Sequence, residues 1–144
     1  MEMEQIKMDI KDYKHKVHYY ETDKMGVVHH SNYIKWMEEA RIDFMDKLGF
    51  GYKCLEEIGI ISPVTGVECH FKKPSGFDDI IDIQVSIKLY NGIKMSIGYT
   101  MINSVTGDII AEGESSHCFI NNKGKLVNLK KECPELNSIF EKVK

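Results

Sequence analysis

Between Tyr19 and Arg41 the chain reads Tyr-Tyr-Glu-Thr-Asp-Lys-Met-Gly-Val-Val-His-His-Ser-Asn-Tyr-Ile-Lys-Trp-Met-Glu-Glu-Ala-Arg. The stretch opens as the end of a strand, turns at Gly26, and crosses Val27, Val28, His29 and His30. It then reaches Ser31 and Asn32, whose side chains are of the kind that start helices. Asp23 therefore stands one short loop before a helix N-terminus. The first turn of a helix leaves N–H groups without intrahelical partners, and their dipoles favour nearby negative charge. A carbonyl carbon placed in that loop meets a carboxylate on one side and N–H donors on its oxygen, which are the parts for acyl transfer or hydrolysis.

On the helix that follows, Tyr33, Met37, Ala40, Phe44 and Leu48 recur at helical spacing, widened by Ile34, Trp36 and Met45. So broad an apolar face predicts a helix embraced by a sheet, stopped at Gly49 and Gly51. Arg41 falls inside that face, where an unpaired charge is costly, so a carboxylate or carbonyl partner is expected, with Glu38 one turn away.

Upstream, Tyr13, His15, Val17 and Tyr19 alternate with Lys14, Lys16, His18 and Tyr20, predicting a first strand that delivers Asp23 to the loop. Met1 to Asp12 predicts a frayed end. Downstream, a short helical segment around Tyr52–Ile58 precedes four strand patterns. These place Thr65, Val67, Cys69 and Phe71 on one face, then Ile81, Ile83, Val85, Ile87 and Leu89, then Met95, Ile97, Tyr99 and Met101, then Ile109, Ala111 and Phe119. Asn91-Gly92 predicts a tight hairpin, Asn121–Lys125 a polar turn, and Pro134–Val143 a terminal helix. Strands of about ten residues span roughly 33 Å and a helix of about seventeen roughly 25 Å, so a curved sheet can cover the helix. The fold class is α+β, with a mainly antiparallel five-stranded sheet around one long helix, and 1–144 is expected to form one domain.

A formal net charge of -3 offers no basic footprint for nucleic acid. No apolar run approaches the roughly 20 residues of a membrane span. Cys54, Cys69, Cys118 and Cys133 are scattered, without a Cys-x-x-Cys pair, which predicts a reduced, cytoplasmic protein. A metal site is not expected, because adjacent His29 and His30 in an extended segment would point apart and no further ligand set lies nearby.

The pattern of Asp23, Gly26, His30, Asn32-Tyr33 and Glu38-Glu39-Ala40-Arg41 resembles that of the hotdog-fold acyl-CoA thioesterases, specifically the 4-hydroxybenzoyl-CoA thioesterase-like family. The resemblance implies hydrolysis of an acyl-CoA thioester without a cofactor, in a homodimer or a homotetramer built from two dimers. Asp23 corresponds to the family's acid and acts as nucleophile or as general base toward water; the sequence leaves both open. His30 and Tyr19 take supporting roles: His30 with its imidazole and a backbone N–H shared with a neighbour such as His29, and Tyr19 by hydrogen bonding to Asp23. Tyr33 reads as pocket wall, and Lys72 and Lys73 lie at the turn where the family's CoA phosphates tend to sit. Two other readings compete. A hotdog dehydratase or hydratase would move protons with His30 and Glu38, and a regulator would bind acyl thioesters without turning them over.

Overall fold

The computed structural model of the chain describes residues 10–144, so most of the predicted frayed end lies outside the described residues. Strand β1 (Tyr13–Lys16) is shorter than its alternation suggests, because a 3₁₀ turn at Tyr19–Glu21 follows it. His15 and Val17 still face the core, while Tyr19 and Tyr20 are turned out to solvent. Helix α1 (Ser31–Lys47) comes next, closed at Leu48, and Gly49 leaves it at φ +86, a left-handed conformation that glycine adopts without steric cost. Then follow α2 (Tyr52–Glu57), β2 (Ile60–Ile61), β3 (Val64–Phe71), β4 (Ile80–Tyr90), β5 (Lys94–Asn103), β6 (Ile109–Cys118), β7 (Ile120–Asn121), α3 (Leu129–Glu132) and α4 (Pro134–Val143).

The main sheet has the order β1-β4-β5-β6-β3 with every pairing antiparallel. Its inner face buries Ile81, Ile83, Ile97, Tyr99 and Met101 against Trp36, Met37, Ala40 and Phe44 of α1. This is the predicted hotdog arrangement of a curved sheet around a long helix. Helix α4 closes one end of the core, with the Phe140 ring edge-on to Tyr90 at 5.1 Å.

Three apolar residues depart from their predicted faces. The pairing of β4 and β5 slips between Ile87 and Leu89, so Leu89 is 70% exposed and Tyr90 takes the inward position. A second slip beside Met101 turns Ile109 outward and buries Ile110. Ile34, at the edge of the apolar stripe of α1, is 44% exposed. Three small elements carry no strong period: the paired two-residue strands β2 and β7, and α3, which Asn128 starts by accepting a hydrogen bond from the Lys130 N–H.

Strand β3 ends the sheet. Its inward-facing Val67 and Phe71 are 46% and 53% exposed, because among the described residues no further strand pairs with this eight-residue edge. Phe71 leads directly into Lys72 and Lys73, beside the loop that carries Asp23.

Candidate active site

Asp23 is held by its own turn. Its N–H donates to Val27 O at 2.8 Å and its carbonyl accepts from Gly26 N–H at 3.0 Å. Its side-chain Oδ1 accepts from Met25 N–H at 2.8 Å and, more weakly, from Val27 N–H at 3.4 Å. Gly26 turns the loop at φ +80, a conformation that suits residues without a side chain. Oδ2 has no hydrogen-bond partner among the described residues and lies at the surface.

The helix start is built differently from the simple capping pattern. His30 already has helical angles, φ -56 and ψ -28, and gives no side-chain cap. His29 supplies one instead: its Nδ1 accepts from Ser31 N–H at 3.2 Å and faces Ser31 Oγ at 2.8 Å. Asn32 turns back, donating from Nδ2 to Glu21 O at 2.9 Å, the carbonyl that also accepts His29 N–H at 2.9 Å. The His29 N–H is therefore occupied and is not available as the expected second oxyanion donor. The His30 N–H has no partner among the described residues. The two imidazoles do not point apart, as an extended segment would require; they stack at 4.2 Å between centroids because His30 has entered the helical conformation.

A hollow of about 390 Å³ is lined by Asp23, Val28, His30, Tyr33, Phe71, Lys72, Lys73 and Pro74. It brings together Asp23, His30, Tyr33, Lys72 and Lys73 of the residues singled out in the sequence. Tyr33 is buried, with its hydroxyl 2.9 Å from Ser75 Oγ and its ring 5.3 Å from Phe71; burial raises its phenol pKa. Lys73 pairs with Asp108 at 3.1 Å, and that contact holds the Asp108 carboxyl below its usual value. Lys72 has no acidic partner among the described residues. Tyr19 lines the adjoining hollow with Asp23, Thr22 and Lys24, but its ring rests edge-on against Phe77 and its hydroxyl makes no hydrogen bond to Asp23. His29 lines neither hollow.

Four residues that support this loop were passed over in the sequence: His15, Glu21, Trp36 and Asn32 in its backward-reaching role. Glu21 is buried, and its carboxylate accepts from His18 N–H at 2.8 Å, from Trp36 Nε1–H at 2.7 Å and from His15 Nε2 at 2.8 Å. Burial alone would raise its pKa; the three donors outweigh burial and hold it below the usual carboxylate range. His15 Nδ1 lies 3.3 Å from Glu39 Oε2, which also accepts from Tyr13 at 3.1 Å; burial and Glu39 push the Tyr13 phenol up to about 12. His15, His18 and Glu21 form the one group of metal-ligand type among the described residues, with donor atoms within 4.8 Å of one another. The Glu21 oxygens in it are already met by N–H donors. The three-residue spacing from His15 to His18 to Glu21 was the available sequence signal.

Arg41 is buried as expected, but its partners are not acidic. Nε donates to Tyr52 Oη and Nη1 to Tyr99 Oη, each at 3.1 Å, while Glu38 is exposed to solvent. Tyr52 and Tyr99, brought in by α2 and β5, meet the guanidinium inside the core, and Glu38, one turn back at the rim of the helix face, stays in solvent.

Fold and site define a class. Residues 17–138 match the Thioesterase-like superfamily, and the chain belongs to it. Among its relatives, the Bacillus subtilis (strain 168) protein called "Putative acyl-CoA thioesterase YneP" is 35% identical over 130 residues, 90% of this chain and 94% of that one. The 1,4-dihydroxy-2-naphthoyl-CoA hydrolase of Thermosynechococcus vestitus is 28% identical over 75% of this chain and 74% of its own length. The crystal structure of the DHNA-CoA thioesterase from Staphylococcus aureus superposes with a TM-score of 0.87 at 31% identity, covering 92% of this chain and 89% of that one. The long helix on a five-stranded antiparallel sheet is thus the hotdog fold of thioesterases. No helix among the described residues is long and apolar enough to cross a membrane.

Proposed function

We propose that the hollow beside Asp23 hydrolyses acyl-CoA thioesters to a free acid and CoA. The observation that carries this reading is the pairing, in one loop, of a carboxylate whose Oδ1 is fixed by N–H donors and whose Oδ2 is unpartnered with an unspent N–H at His30, at the start of α1. The His30 N–H is the oxyanion donor, aided by the helix dipole. Asp23 Oδ2 either attacks the carbonyl carbon, or takes a proton from a water whose oxygen attacks that carbon; the tetrahedral oxyanion then collapses, the C–S bond breaks and CoA leaves as a thiolate. The water route gives the free acid directly, and the nucleophilic route gives an acyl-aspartyl anhydride that a water then hydrolyses to the acid and free Asp23. Weak sulfur resonance leaves a thioester carbonyl electrophilic, so no metal or strong acid is needed in this scheme. Glu38 does not line the hollow with His30, which favours hydrolysis over the dehydratase reading.

Phe71 and Tyr33 offer flat apolar walls to the acyl group, and Lys72 gives a cation at the rim for CoA phosphates. The working form is at least a homodimer. The edge strand β3 leaves Val64, Val67 and Phe71 about half exposed, and Phe71 also lines the hollow, so a second copy seated on that edge completes the acyl pocket. The test is thiol release by the purified protein from a panel of short-chain, long-chain and aryl acyl-CoA substrates. Release above the uncatalysed rate for at least one member is expected, and none for any member overturns the proposal.

A further inference from the structure

We propose that Glu21 is a positioning residue that sets the distance between Asp23 and the His30 N–H, an assignment that rests on the thioesterase reading above. The Glu21 peptide sits where the two arms of the site diverge. Two residues on, the chain becomes Asp23; across from it, the Glu21 carbonyl accepts the N–H of His29, the residue before His30, and the Nδ2 of Asn32 in the first turn of α1. The side chain fastens this junction to the rest of the fold. Its carboxylate is 6% exposed and receives N–H groups from β1 through His15, from the 3₁₀ turn through His18, and from α1 through Trp36.

An ionised carboxylate accepts hydrogen bonds only, so three converging N–H donors are all satisfied without any proton of its own. An amide in its place turns an NH₂ toward at least one N–H, and the mismatch pushes the junction away from Trp36 or His15. Neither Asp23 nor His30 loses a contact directly when that happens. What changes is their separation, and a misplacement of about 1 Å at reacting groups costs on the order of 100-fold in rate. The same saturation explains why His15, His18 and Glu21 serve as an anchor here rather than as an open ligand set.

Glu21→Gln and Asn32→Ala test the assignment, each assayed only at a temperature where circular dichroism shows it folded. Both are expected to lower kcat, Glu21→Gln by about 10- to 100-fold and Asn32→Ala by about 3- to 10-fold, with KM for the best acyl-CoA and Kd for CoA within twofold of wild type. Should Glu21→Gln not fold, Asn32→Ala decides alone, since it leaves the carboxylate and its donors intact and cuts only the carbonyl tie to α1. A folded variant with wild-type kcat, or one in which KM rises while kcat holds, overturns the assignment. An inactive wild type would instead bring down the thioesterase reading itself.

Discussion

Arg41 and Tyr99 meet inside the core with Nη1 3.1 Å from the phenol oxygen, and the contact begins a buried polar chain. Tyr99 Oη lies 2.7 Å from Ser115 Oγ, and Ser115 Oγ lies 2.7 Å from His117 Nε2. The charge of Arg41 is thus satisfied by neutral hydroxyls on α2 and β5, and the chain ends at His117, whose protonation is disfavoured by burial and by Arg41. Arg41→Met is expected to cost about 1–2 kcal/mol of stability and Arg41→Ala about 2–4 kcal/mol, because methionine refills the space while alanine leaves a cavity and stranded hydroxyls. Urea unfolding of the three proteins measures this, and equal stability would contradict a buried guanidinium.

His117 gives the fold a pH dependence. Burial, with Arg41 adding to it, pushes its pKa down to about 4, below the unfolded value near 6.5. The unfolded chain therefore binds the proton first, so the contribution of neutral His117 is complete above about pH 6.5 and is lost as pH falls toward 4. The loss amounts to about 2–3 kcal/mol across that window. Urea midpoints from pH 7 to 4 should fall more steeply for wild type than for His117→Asn.

Asp23→Asn should lower kcat by at least about 100-fold while leaving the melting temperature and assembly unchanged, because the amide keeps the shape but lacks the anion. His30→Ala should lose only about tenfold, since the backbone N–H survives. Steady-state thiol release compares them; near wild-type turnover in Asp23→Asn removes it from the mechanism, and equal losses make the His30 imidazole essential.

Lys72→Ala should raise KM for acyl-CoA by about 3- to 10-fold with kcat unchanged, and added salt should narrow the difference. Lys73→Ala should do less, because Asp108 already occupies that cation. KM values at two ionic strengths decide; identical values for all three proteins would place the phosphates elsewhere.

Val67→Asp puts a charge on the open edge of β3 and should weaken self-association and acyl turnover together. Light scattering and activity over one dilution series follow both. A fully active monomer, wild type or variant, would remove the shared pocket.

Periodicity along the chain determined the layer order. The stripe from Tyr33 to Leu48 and the alternations from Ile81 and Met95 each depend on which face of one element is apolar, and that information is local. The loop from Asp23 to Asn32 was legible for the same reason, as an acid, a glycine turn and a helix start in succession. Its neighbours in space were not. Leu89 and Ile109 changed faces because strand slips depend on how two strands register, and Arg41 found Tyr52 and Tyr99 rather than Glu38 because a helix face is set by what packs on it. Glu21 shows the difference most fully. By itself it is an ordinary acid in a turn; three donors from β1, the 3₁₀ turn and α1 make it the anchor of the site, and hydrogen bonds between residues 3 to 15 positions apart exist only once the chain has folded.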